Sequence, residues 1–189
     1  MMNSFNRCFK LFPAVFALGF CGCSLFPEPR QSAIEYYDLK PPAEISAVPL
    51  DVEQFANFSS ERQRMISREN EISVRSSDFH KWVQSPGAML TRFLRLAFRK
   101  QLQDPAINRN QTVILSGEVL TFEKRGKTAV LGIRYHLKYK RQVYSKTVTI
   151  PVEMKNNSPT AFAEAMSTAA ERFARMAAAE ARRIAAERK

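Results

Sequence analysis

Cysteine is scarce in this chain. There are three in 189 residues, Cys8, Cys21 and Cys23, and none beyond position 23. The rest of the chain therefore has no disulfide pair, no CxxC redox motif and no cysteine metal site. Glycine is also rare: six in the whole chain leave little material for a phosphate-cradling loop, and no Gly-x-Ser-x-Gly elbow occurs. The two histidines, His80 and His136, belong to no zinc-binding spacing. His136 reads as a side chain on the polar face of a strand, and His80 as a loop residue before Trp82. Acidic residues are outnumbered 18 to 29 by basic ones, and no two carboxylates stand at the spacing of a general acid/base pair. These absences argue against an enzyme and against a resident metal or cofactor. A long apolar run is missing too. The stretch at residues 11–20 is interrupted by Pro13 and falls short of the ~20 residues that cross a bilayer.

What that stretch does have is the order of an export signal. Arg7 and Lys10 precede it, and small Gly22 stands immediately before Cys23. A peptidase that cuts beside a lipid-modified cysteine needs a small residue just before it, which Gly22 supplies and Phe20, before Cys21, does not. Cleavage between Gly22 and Cys23, with acylation of Cys23, is the expectation. Ordinary signal cleavage would instead leave an oxidisable thiol near the new N-terminus of an exported protein. Removing residues 1–22 leaves 167 residues (189 − 22), enough for one domain. The formal charge falls from +11 to +9, because the removed segment contains Arg7, Lys10 and no acid. Such a charge in the cytosol would suggest nucleic acid, but an exported protein meets lipid head groups, cell-wall polymer and envelope proteins instead. The expected organisation is a signal over residues 1–22, a lipidated tether with Pro27 and Pro29 over 23–33, and one domain over 34–189.

Within that domain, residues 34–39 and 45–52 read as strands, with Pro49 marking a bulge or an edge. Residues 65–68 and 71–74 flank Glu69-Asn70 as a hairpin. The stretch 55–63 has no clear assignment, and Phe55 and Phe58 there either tuck under a sheet or face a partner. Ser85-Pro86 is a helix start, followed by Leu90, Phe93, Leu94, Ala97, Phe98 and Leu102 at three- and four-residue steps, up to Asp104-Pro105. Trp82, just before it, reads as a core cap. Strands at 113–123, 128–140 and 143–152, joined by turns at 124–127 and 141–142, make an antiparallel meander. In the middle one Ala129, Leu131, Ile133, Tyr135, Leu137 and Tyr139 face a core, while Arg134, His136, Lys138 and Lys140 face water. Pro159 opens a long helix with Phe162, Met166, Ala169, Phe173, Met176 or Ala177, and Ile184 on one stripe. The fold class expected is α+β, a mostly antiparallel sheet packed against two amphipathic helices. Arg134, Lys138 and Lys140 form a basic row on the middle strand. Arg172, Arg175, Arg182, Arg183, Arg188 and Lys189 add charge along the last helix. These faces either keep the protein solvated or dock an anionic lipid or acidic partner.

Taken in order, several features resemble one family. They are the signal ending Gly22-Cys23, Tyr37-Asp38-Leu39 after a proline-bearing tether, Trp82 four residues before Pro86, the amphipathic helix through Leu90 and Leu94, the meander, and the alanine-rich closing helix around Ala165-Met166. Together they are similar to the ABC-type transport auxiliary lipoproteins, which include the paraquat-inducible protein C. The chain departs from the family after Pro49, where Gln54-Phe55-Ala56-Asn57-Phe58 replaces the usual Pro-x-Tyr-Leu segment. The resemblance implies a non-enzymatic lipoprotein without cofactor, partnering an MCE (mammalian cell entry) protein and its ABC transporter in moving lipid between membranes, and able to form homo-oligomers. It also implies an envelope membrane reached through N-terminal acyl chains. Ser24, where an Asp would retain a lipoprotein in the inner membrane, directs it to the outer one. Two alternatives are a periplasmic carrier of a small apolar ligand, which needs a cavity lined by Phe, Leu and Met, and a structural lipoprotein binding cell-wall polymer or another secretion machine.

Overall fold

A computed structural model describes residues 33–45, 49–102 and 112–187, apart from the side chains of residues 100–102. All belong to the unit running from Ala33 to Lys189. The signal, Gly22, Cys23, the tether as far as Ser32, and Arg188 and Lys189 lie outside the described residues. The elements are β1 (Glu35–Tyr37), β2 (Leu50–Val52), β3 (Ala56–Asn57), β4 (Arg64–Arg68), β5 (Val74–Trp82), α1 (Pro86–Leu102), β6 (Val113–Arg125), β7 (Thr128–Tyr139), β8 (Gln142–Glu153) and α2 (Pro159–Ala186).

Two short turns fold the last three strands into a meander. Gly126, at φ 57, supplies the left-handed position of the β6–β7 turn that a side chain resists. Lys140, at φ 54, takes that conformation in the β7–β8 turn without being a glycine. The period-two pattern then sets the faces: Leu131, Ile133 and Leu137 are fully buried, whereas Arg134 and Lys138 are exposed. The whole is a mixed, mostly antiparallel sheet in the order β1-β5-β4-β6-β7-β8, with both helices packed on its inner face. β7 lines one edge of β6. The other edge is filled piecewise by three short parallel segments: β2 pairs Leu50 with Val113, β3 pairs Ala56 with Glu118, and β4 pairs Ser67 with Lys124.

α2 starts where the sequence places it, with Ser158 as its cap, the hydroxyl accepting from the Ala161 N–H at 3.1 Å, and Pro159 inside the first turn. Its stripe of Phe162, Met166, Ala169, Phe173, Ala177 and Ile184 is buried, and Met176 is the exposed alternative. Each of the large side chains contributes about 1.5–3 kcal/mol. Phe173 meets Tyr135 of β7 and Phe55 edge-on, with ring centroids 5.3 and 6.1 Å apart. Phe55 thus belongs to the core. It lies over Gly117, where a Cβ would come within 2.8 Å of its ring, and its N–H donates to the Thr91 hydroxyl of α1 at 2.9 Å. Phe58 is instead exposed. Trp82 is buried edge-on against Phe122 of β6 and Phe162 of α2, with its indole N–H unpaired.

The structure corrects four sequence-based expectations. The second strand begins at Leu50, not at position 45: Ile45 is a core residue whose N–H donates to the Ala97 carbonyl, and residues 46–48 lie outside the described residues. Pro49 has no N–H to give the ladder, but its carbonyl accepts from Val113. The β4–β5 connection spans residues 69–73, because the Asn70 side chain accepts from the N–H groups of Ile72 and Ser73 and closes a wider turn. β5 then runs on to Trp82, so His80 sits in a strand and not in a loop. Both meander turns shift as well, to Gly126-Lys127 and Lys140-Arg141, which takes Lys140 off the exposed row of β7.

Candidate docking surfaces

Those of the basic residues singled out in the sequence that are described fall on opposite sides of the core. Arg134 and Lys138 lie on the outer face of the sheet, turned away from the helices. Arg134 donates to the Glu118 carboxylate at 3.0 Å, and Lys138 lies between Ile114 of β6 and Val143 of β8 in the register. Lys140, in the turn, holds its ammonium 5.2 Å from the centre of the Tyr139 ring. Arg175 and Arg182 are on the solvent stripe of α2, on the far side of the core from that row. Arg175 pairs with Glu171 at 2.7 Å. Arg134 and Lys138 share the outer face of β7 four residues apart, and Arg175 and Arg182 lie on another surface.

A bridge ties α2 to the sheet. Glu180 accepts from Lys146 of β8 at 2.8 Å and from Arg183 at 2.7 Å, with its side chain only 15% exposed. The Arg183 and then the Lys146 hydrogen bonds pull its carboxyl from 4.5 down to about 2. A second carboxylate, Glu123, is buried on the outer face with its side chain 3% exposed. Burial pushes its carboxyl up, but hydrogen bonds from Arg68 and Arg125, both at 2.7 Å to one oxygen, outweigh that and hold it below the usual range. Sequence reasoning missed this clamp, because Arg68 reaches Glu123 only through the parallel β4–β6 pairing; adjacent Arg125 was the one local signal.

The histidines stand apart. His80 shares a hydrogen bond with the Ser77 hydroxyl at 2.9 Å, and His136 with that of Ser145 at 2.7 Å. Among the described residues no group of three or more His, Cys, Asp or Glu side chains could hold a metal. The space between sheet and helices is filled by Trp82, Phe55, Phe98 and Phe173. A surface depression of about 320 Å³ runs between Pro41-Pro42, Met154 and α2, rimmed by Lys40, Lys155, Glu164 and Glu171. Another of about 470 Å³ lies between the β4–β5 and β6–β7 turns. Neither is an apolar chamber. No helix among the described residues is long and apolar enough to cross a membrane.

Comparison with known proteins agrees with this architecture. A crystal structure of a Xanthomonas campestris protein assigned to family DUF330 is similar over 82% of this chain and 97% of its own, with a TM-score of 0.61 at 18% identity. A crystal structure titled as an uncharacterized protein is similar over 80% of this chain and 99% of its own, with a TM-score of 0.60 at 18% identity. At that identity the likeness is one of fold. No curated protein matches the chain. The family model for the ABC-type transport auxiliary lipoprotein component matches residues 60–178, from the loop before β4 into α2. That span covers well over half of the 189 residues, and this chain belongs to the ABC-type transport auxiliary lipoprotein family.

Proposed function

We propose that this protein is a lipid-anchored, non-enzymatic accessory that docks an MCE protein and its ABC transporter on the periplasmic face of the outer membrane. The observation that carries the reading is the family match over residues 60–178, which makes the chain an auxiliary component of ABC-type transport. The anchor is Cys23, acylated after cleavage at Gly22, and Ser24 behind it favours the outer membrane. A filled core supports docking over carriage, since a carrier needs an enclosed apolar cavity. Contact with the partner is made by charged surface, through Arg134 and Lys138 on the sheet or Arg175 and Arg182 on α2.

Affinity purification of the tagged lipoprotein from envelope membranes is the test. Recovery of an MCE protein or an ABC transporter supports the reading, and repeated recovery of only cell-wall enzymes or another secretion apparatus sinks it. A fatty-acid analogue should label the wild type and leave Cys23→Ser unlabelled.

A further inference from the structure

The sheet carries an apolar patch that neither the core nor the basic surfaces account for. Tyr36 is 59% exposed, Phe79 48% and Ile34 47%. β1 and β5 run parallel, with Tyr36 beside Lys81 and Tyr37 beside Trp82. Tyr37 and Trp82 belong to the core side, so Tyr36 and Lys81 point the other way. Residues two apart in extended chain share a face, which adds Ile34 to Tyr36 and Phe79 to Lys81. One exposed apolar side chain needs no explanation, but three large ones on the same face of adjacent strands mark a contact. Among the described residues β1 is an edge strand, with no further strand beside it.

We propose that this patch rests in the interfacial layer of the lipid bilayer when the protein is anchored. The inference depends on the acylation of Cys23. What selects a bilayer as the occupant is where the chain outside the structure leads. Residues 23–33, eleven in all, separate the acylated cysteine from Ile34 and reach at most about 40 Å. The anchor is thus attached at the edge that carries the patch. The side chains suit the place: Ile34 and Phe79 bring hydrocarbon, and Tyr36 a phenol that stays wet while its ring does not. Arg64 is bridged to Asp78 at 3.3 Å, and Lys81, which shares the face with Tyr36, has a long stem that lets its ammonium stay among the head groups while the apolar side chains enter. The contact is therefore carried mainly by apolar area, and screening of charge removes only a minor part of it.

The full-length lipoprotein, reconstituted in phosphatidylethanolamine and phosphatidylglycerol vesicles with brominated acyl chains, tests this. A fluorophore is placed at Phe79→Cys or, on the opposite edge strand, at Thr147→Cys, and the mass of the N-terminal peptide reports acylation separately. Bromolipid should quench the label at position 79 about twofold or more beyond that at position 147, and most of the difference should remain at about 0.5 M salt, where surface charges are screened. Ile34→Ser with Tyr36→Ser should abolish the difference. Equal quenching in acylated protein overturns the patch proposal and leaves the anchor standing. An unacylated Cys23 overturns the anchor, and the same comparison with vesicles added to that protein then decides the patch: preferential quenching at position 79 keeps it and its absence removes it. A label at 79 that is shielded from aqueous quencher but untouched by bromolipid means that protein covers the patch, which also overturns the proposal.

Discussion

Lys140 occupies a backbone conformation that a glycine adopts more cheaply. At φ 54 its Cβ crowds the following carbonyl, a cost of roughly 1 kcal/mol, partly recovered by the ammonium over Tyr139. Lys140→Gly is expected to raise stability by about 0.5–1 kcal/mol, read as a higher urea midpoint at unchanged slope. A lower midpoint would mean that the cation–ring contact outweighs the strain. Glu180 makes the opposite kind of demand, because it must be charged. Its carboxyl is depressed from 4.5 to about 2, so the stabilisation is fully present above pH 4.5 and is lost as pH falls towards 2. Glu180→Gln should melt well below the wild type at pH 6, and the gap should close between pH 4.5 and 2. A gap independent of pH would show that the hydrogen bonds, not the charge, hold α2 to β8.

At the scale of the element, β7 carries the sharpest expectation. Ile133→Asp places a carboxylate among fully buried neighbours, at several kcal/mol, comparable with the ~5–15 kcal/mol total stability of a small domain. It should abolish the cooperative thermal transition, whereas Lys138→Asp should leave it nearly unchanged. A wild-type melt for Ile133→Asp would overturn the register. Elements of this kind were legible in the sequence, because their pattern is local: alternation defines β7, and the run Asn156-Asn157-Ser158-Pro159 before an apolar stripe defines the start of α2. β2, β3 and the full length of β5 were not. Two- and three-residue strands hold their shape through the partner they lie beside, and β5 has an exposed, polar stretch that mimics a loop. The basic residues of β7 and α2 were legible as two sets, but their placement on opposite sides of the core was not, since that depends on which face of the sheet receives α2.

That division gives the molecule two chemically similar sides separated by a core. A single partner at one of them should respond to Lys138→Glu or to Arg182→Glu, but not equally to both, through a several-fold slower association at low salt that fades as salt is added. Binding kinetics to the purified partner distinguish them. Equal losses from both variants would require a partner that reaches around the domain. The piecewise edge of β6 has a different consequence, one of time. If the chain is exported as proposed, it arrives from its N-terminus, and β2, β3 and β4 emerge some sixty residues before β6, Leu50 waiting for Val113 and Ser67 for Lys124. Until β6 follows, each leaves the edge meant for β6 unpaired, and only β4 has another strand, β5, beside it. A chain halted near residue 112 should be cut by added protease throughout, and one extended past Arg125 should begin to resist. The interval between them is when this lipoprotein most needs a chaperone.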